Sequence, residues 1–368
     1  MIRNFKRTAS LLGVVTAGSL ALVACSESEN GGGEGSTDAS SIEGLSGTTG
    51  ELVSEGASSQ QNAMDYFNIQ YQEAVDGASL AYNPSGSGSG RTNFVAGQVA
   101  FAGSDSPLSE DQVEPAAERC GGNEAWHLPL VIGPVAIAYN VEGVDELNLS
   151  TETIAQIFLG EITNWNDEAI AAENEGVELP DQDISVIYRS DESGTSDNFQ
   201  KFLGANSDAW TTEGQQFPTD VGAGANGSNG VATEVSSVDG AITYVEAGFA
   251  QQQGLGIANI DFGNGPTELT PETVGVALDN LEFLGEGHNM VVDADSMYAI
   301  DAEGAYPLVL TTYEIVCSAG YDEETKNLVK DFLTVALESQ DDSLAELGYI
   351  PVTGTHHDRL TEAVEAIQ

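Results

Sequence analysis

Ile184-Ser185-Val186-Ile187-Tyr188-Arg189-Ser190-Asp191-Glu192-Ser193-Gly194-Thr195 runs from an apolar stretch straight into a cluster of hydroxyl and charged residues. Residues 184–188 carry the β-branched and aromatic side chains of a strand, and 195–203 place Phe199, Phe202 and Leu203 at helical spacing. Where a strand gives way to a helix, the first helical N–H groups lack partners and carry partial positive charge, so they bind oxyanions. Arg189 adds a forked guanidinium suited to a tetrahedral oxyanion, and Asp191 is placed to hold that fork in register. Ser193 and Thr195 add hydroxyl donors, and Gly194 lets the backbone approach closely.

Three further segments follow the same logic. Gly56-Ala57-Ser58-Ser59 precedes a helix expected over 58–75, with Ser58 or Ser59 as its cap and Met64, Phe67, Tyr71, Ala74 and Val75 inward. Ser85-Gly86-Ser87-Gly88-Ser89-Gly90 leads towards a short helix near 92–96. Phe101-Ala102-Gly103-Ser104-Asp105-Ser106-Pro107 closes a strand read at 99–102. One such loop alone is usually a turn, and four together describe an anion site. Enzyme motifs fit poorly: no Gly-Lys-Ser/Thr follows the Gly/Ser run as a P-loop needs, and its centre is Gly88, not the serine of a nucleophile elbow.

Strands at 79–82, 130–139, 241–245 and 308–316 alternate with helices at 153–159, 231–238 and 323–337, with Gly160 stopping the first of these helices. The alternation predicts α/β units with mostly parallel sheets. Residues 254–305 have no regular pattern, and no fixed-period repeat supports a solenoid or propeller. About 320 residues beyond the N-terminal segments exceed what one core usually serves, so two domains are expected.

Arg3, Lys6 and Arg7 precede an uncharged run over 9–24, the layout of a secretory signal spanning 1–24. Leu22-Val23-Ala24-Cys25 resembles the lipobox of bacterial lipoproteins, which implies lipidation at Cys25, a flexible tether over 25–45 and a position on the extracytoplasmic face of the cell membrane. The alternative is an ordinary signal with an incidental cysteine. Cys120 and Cys317 remain as an even pair, a disulfide candidate or two buried free thiols. The formal charge is −49, and without Arg3, Lys6 and Arg7 seven Lys and Arg face 59 Asp and Glu, or −52. Such a chain does not bind nucleic acid or an anionic membrane by charge. Exposed charges beyond about 10 Å are screened at 0.1 M salt, so an anion site must rest on local groups.

Ser104-Asp105-Ser106-Pro107-Leu108, Ile157-Phe158-Leu159-Gly160-Glu161-Ile162-Thr163-Asn164-Trp165-Asn166-Asp167 and the 189–196 segment together resemble the PstS family, the phosphate-binding proteins of phosphate ABC importers. The resemblance implies a two-lobed periplasmic-binding-protein (type II-like) α/β fold, each lobe a sheet flanked by helices, with the ligand in the interlobe cleft. Lobe one would comprise 46–129 and 311–368, and lobe two 130–310. Carried over position by position, the phosphate contacts would be Ser58, Ser59, Ser87, Asp105, Arg189, Asp191, Ser193, Gly194 and Thr195. Relatives often have Thr-Phe where this chain has Ser58-Ser59, and a serine hydroxyl can replace the threonine's. Thr163-Asn164-Trp165 is expected to fix a turn. The implied partners are phosphate and the permease and ATPase of an ABC importer, with the protein a monomer and no cofactor or metal involved.

Asp105 would repel an anion unless the anion brings a proton. Hydrogen phosphate has one to donate and sulfate does not, so a carboxylate here would accept the first and reject the second. Sulfate or molybdate carriers, a surface lipoprotein without transport and a phosphatase are the rival readings. The last is disfavoured because none of His127, His288, His356 and His357 stands in a metal-ligand spacing or beside the serine segments, and His356-His357 reads as an exposed turn.

Overall fold

The structure is a computed structural model that describes residues 42–218, 221–300 and 302–368. The signal-like segment, Cys25 and most of the tether lie outside the described residues.

In chain order the elements are β1 (Gly50–Gly56), α1 (Gln61–Ala74), β2 (Ala78–Asn83), α2 (Ser87–Val95), β3 (Phe101–Ser104), α3 (Glu110–Arg119) and β4 (Ala125–Asn140). There follow β5 (Asn148–Ser150), α4 (Thr151–Phe158), α5 (Glu168–Glu173), β6 (Ser185–Arg189), α6 (Gly194–Asn206), β7 (Ala223–Ala225), α7 (Gly227–Ser237), β8 (Ala241–Glu246) and α8 (Ala247–Gln252). The chain ends with β9 (Gly256–Ile257), β10 (Asn259–Asp261), β11 (Pro266–Thr267), α9 (Pro271–Leu278), α10 (Ala294–Tyr298), β12 (Val309–Cys317), α11 (Glu323–Glu338), α12 (Asp342–Glu346) and α13 (Gly354–Ala366).

Strand order is β2-β1-β3-β12-β4-β8-β6-β7, with β9 also on β4. The expectation of mostly parallel sheets needs correction. β1 runs parallel to β2 and β3, and β6 to β7 and β8. Between these groups β12 is antiparallel to β3 and β4, and β4 is antiparallel to β8. The parallel parts come from strand-helix-strand crossovers, whereas β4 leaves the first group and β12 returns to it along the same path, which forces opposed directions. β4 pairs with β12 from Ala125 to Pro134 and with β8 from Val135 to Asn140, so one 16-residue strand serves both groups. Its long apolar run suits a strand buried on both faces, and every residue of β12 is buried. The β4–β12 register slips between Thr312 and Tyr313: Thr312 faces Val131, Tyr313 faces Pro129, and Leu130 is the extra residue. Pro129 has no N–H for the ladder, which is where a bulge belongs.

Several helices start earlier than their apolar periodicity suggests. α2 opens at Ser87 because Gly86, at φ +102°, turns the chain there, and α7 opens at Gly227, before its first apolar residue. The 58–75 helix divides into a 3-10 turn at Ser58–Gln60 and α1, and neither Ser58 nor Ser59 caps it with a side chain. Gly160, at φ +74°, follows α4 as expected. Trp165 is fully buried and donates Nε1–H to the Gly240 carbonyl at 3.0 Å, a structural role as expected. The unpatterned 254–305 region contains β9 to β11, α9 and α10, with β10 joining β11 and β5 in a second, three-stranded sheet.

One large apolar cluster runs along the sheet, and a smaller one under α7 and α8 includes Ile187, Val231, Val235, Val245 and Phe249. A Cys120–Cys317 disulfide, Cα–Cα 5.3 Å, ties the end of α3 to the end of β12 and excludes the free-thiol alternative. His356 and His357 lie within α13, partly buried, and not in an exposed turn. Among the described residues no helix is long and apolar enough to cross a membrane.

Candidate anion-binding site

Arg189 ends β6 at 2% exposure, so its charge has to be met locally. Asp191 meets it with both oxygens, accepting from Nε at 2.8 Å and Nη2 at 2.5 Å. Burial alone would depress the guanidinium, but the Asp191 hydrogen bonds and charge outweigh it and hold Arg189 above its ordinary value. Burial likewise opposes ionisation of Asp191, and Arg189 more than offsets it, holding that carboxyl below its ordinary value. The Gly227 N–H donates to Asp191 Oδ1 at 3.1 Å, fixing the pair to the start of α7. Nη1 of Arg189 donates to Thr195 Oγ1 and Ser228 Oγ, each at 3.2 Å. Ser193 caps α6, its hydroxyl oxygen accepting from the Ser196 N–H at 3.1 Å, which leaves the hydroxyl proton free to donate.

Asp105 lies just past the end of β3, 5% exposed. It accepts from Ser59 Oγ at 2.6 Å, Thr312 Oγ1 at 2.7 Å and Ser87 Oγ at 3.2 Å. Ser87 Oγ also accepts from the Asp105 N–H at 3.1 Å. Burial raises the Asp105 carboxyl, while these hydroxyls and Arg189 pull it back towards ionisation. Three hydroxyl donors converging on one carboxyl are the arrangement of a carboxylate.

The two walls touch. Ser58 Oγ accepts from the Ser228 N–H at 3.0 Å, the Gly88 N–H donates to the Glu192 carbonyl at 3.1 Å, and Asn198 Nδ2 donates to the Asp105 carbonyl at 2.7 Å. Ser106 Oγ donates to Asp197 at 2.6 Å, and Lys201 pairs with the same carboxylate at 2.8 Å. Gly194 is a point of close approach: a Cβ there would stand 2.4 Å from Ser87 Oγ and 2.7 Å from Asp105 Oδ2, so any side chain would hold the walls apart.

All nine residues singled out from the sequence therefore converge, although Ser59 and Ser87 both direct their hydroxyl protons to Asp105. Arg91 gives its hydrogen bonds to Gln112, Ser104, the Ser106 carbonyl and Gln215, so only its charge, and not a direct contact, reaches Asp105. His127 corrects the reading that no histidine stands by the serine segments. It is buried, its Nε2 accepts from the Leu108 N–H at 3.0 Å, and Nδ1 faces Asn289 Oδ1 at 2.8 Å. Sequence reasoning missed Ser228, Thr312 and Glu246. Asn226-Gly227-Ser228-Asn229 carries the same loop-to-helix signature as the other segments and was masked by placing the helix start at Val231. Thr312 and Glu246 lie inside strands with no local signal. No group of acidic, histidine or cysteine side chains among the described residues forms a metal site.

A sheet with helix starts from both of its ends converging on one buried arginine defines a binding protein of the two-lobed periplasmic type. Residues 41–340 match the model of the PBP superfamily domain. The structure is similar to that of a high affinity periplasmic phosphate-binding protein (PfluDING) bound with phosphate, at a TM-score of 0.68 and 22% identity over 85% of this chain and 93% of that one. It also resembles a phosphate-binding protein from Stenotrophomonas maltophilia, with TM-score 0.63, 20% identity and coverage of 85% and 94%. The sequence is 42% identical to phosphate-binding protein PstS2 of Mycobacterium bovis over 99% of this chain and all of that protein, and 28% identical to PstS of Xylella fastidiosa over 82% and 81%. This chain belongs to the PstS family of phosphate-binding proteins, a family of binding proteins and not of enzymes.

Proposed function

We propose that this chain is an extracytoplasmic solute-binding protein that captures inorganic phosphate and delivers it to an ABC importer. The observation that carries the reading is Asp105, a buried carboxyl with hydroxyl donors, set across a closed cleft from the Arg189–Asp191 pair. Arg189 supplies attraction, and Asp105 supplies an acceptor that only a protonated oxyanion satisfies. The ligand contacts are Ser58, Ser59 through its backbone, Ser87, Asp105, Arg189, Asp191, Ser193, Gly194 and Thr195, joined by Ser228. Hydrogen bonds to a charged group contribute about 1.5–3 kcal/mol each, so a handful reach micromolar or tighter affinity after ordering costs.

The lobes are taken as 46–129 with 311–368, and 130–310, joined through β4 and β12, with closure about that junction bringing the two walls onto the anion. The closed form would be what a membrane permease and its ATPase accept, from a monomer held at the membrane by lipid on Cys25 after removal of 1–24. Purified protein should retain phosphate through extensive dialysis and reject sulfate in calorimetric titration. Asp105→Asn should weaken phosphate by about tenfold and admit sulfate. Equal affinity of the parent for the two anions overturns the reading.

A further inference from the structure

Glu246 ends β8 at 1% exposure, directly behind the anion site. Its Oε1 lies 2.7 Å from Thr195 Oγ1, and its Oε2 is buried with no hydrogen-bond partner. Thr195 Oγ1 has one proton and two acceptor positions, and it already accepts from Arg189 Nη1. If Glu246 is a carboxylate, Thr195 must donate to it and has no proton left for a ligand. A buried, anionic Oε2 would also have only the Ser228 hydroxyl facing it, short of a geometric hydrogen bond, at high cost. If Glu246 carries its proton on Oε1, it donates to Thr195, Oε2 becomes an ordinary carbonyl oxygen, and the Thr195 proton is free.

We infer that Glu246 is a positioning residue for anion capture: as a neutral carboxylic acid it donates to Thr195 Oγ1 and so turns the Thr195 hydroxyl proton towards the ligand. The inference rests on the phosphate reading above. The site then holds two acids in opposite states, Asp105 ionised to accept the ligand's proton and Glu246 neutral to free a donor. The charged and titratable groups facing Glu246 are Arg189 from β6, Asp105 beyond β3 and Tyr349 after α12. Burial raises the Glu246 carboxyl above its ordinary value and Asp105 adds to this, while Arg189 and the Ser228 and Thr195 hydroxyls oppose it without cancelling it.

The test combines infrared difference spectra with phosphate titrations. Subtracting the Glu246→Gln spectrum from the parent's at pH 7 should reveal the C=O stretch of a protonated carboxylic acid. A carboxylate stretch in its place overturns the inference. Thr195→Val and Glu246→Ala should each weaken phosphate by about tenfold at pH 7, because each deletes one hydrogen bond of the relay. Unchanged affinity in a folded Thr195→Val protein overturns it. On raising the pH, any loss of the protonated band should coincide with loss of affinity, and band loss without affinity loss overturns it. A parent protein that binds no phosphate at pH 7 overturns the functional reading itself. Binding by the parent with a carboxylate at Glu246 overturns only this step.

Discussion

The two walls of the cleft are built differently. The Arg189 wall neutralises itself: its cation and its anion are two residues apart, and the bidentate Arg189–Asp191 pair exists whatever the other wall does. The Asp105 wall carries Arg91, but that guanidinium bonds Gln112, Ser104, Gln215 and the Ser106 carbonyl and makes no hydrogen bond to Asp105. Its carboxyl relies on hydroxyls from three separate parts of the chain, Ser59, Ser87 and Thr312. One wall thus holds a directly paired charge, and the other a carboxyl held by hydroxyls, with Arg189 acting on it only through space. In the proposed function, attraction and selection fall to opposite walls, and closure would combine them.

Breaking the first wall should have the largest effect. Arg189→Ala leaves Asp191 buried without its partner, which should cost the fold on the order of 3–5 kcal/mol; the charge-assisted hydrogen bonds lost to the anion should lower phosphate affinity at least about 100-fold in titration calorimetry. A fall under tenfold would mean that the helix starts, and not Arg189, dominate attraction.

The second wall should be the more acid-sensitive. His127 supports it through Leu108, and burial pushes its pKa down to about 4. A histidine with a depressed folded pKa stabilises the native state fully above its unfolded value near 6.5, and this is lost as pH falls from there towards 4. His127 should therefore contribute about 3 kcal/mol that disappears across that window. His356, also lowered to about 4, acts in the same range from α13. Thermal unfolding of the parent should weaken between pH 7 and 4.5, and His127→Gln should show a shallower decline. Asp191, being lowered, keeps its contribution above its ordinary value and loses it only in stronger acid. Identical pH profiles for the parent and His127→Gln would remove the asymmetry.

The smallest effect sharpens the contrast. Ser87→Ala removes one of three donors to Asp105, and the remaining two should limit the loss of phosphate affinity to about 0.5–1.5 kcal/mol, a few-fold in titration. A loss as large as that of Arg189→Ala would show that the hydroxyls act as a unit.

The same contrast explains what the sequence made legible. Arg189, Asp191, Ser193 and Thr195 sit within seven consecutive residues, so adjacency and the strand-to-helix pattern disclosed a whole wall. Asp105 could be named from its segment, but its partner Thr312 lies 207 positions away and became visible only once β12 was placed beside β3. Glu246 and Thr312 occupy buried strand positions, where periodicity expects apolar side chains and gives no hint of a polar role. The mixed sheet was misread for a related reason. Alternation of strand and helix fits parallel crossovers locally, whereas the directions of β4 and β12 depend on the chain leaving one group of strands and returning to it.

That return path has a mechanical consequence. At Thr312 and Tyr313 the ladder between the two long strands is already interrupted, so flexure of the sheet can concentrate there without rupturing a regular run of backbone pairs. Thr312 is also the residue that reaches Asp105. The interruption in the scaffold's ladder and the buried acid of the cleft are thus one hydrogen bond apart, so a change of protonation at Asp105 would act directly on the weakest point of that ladder.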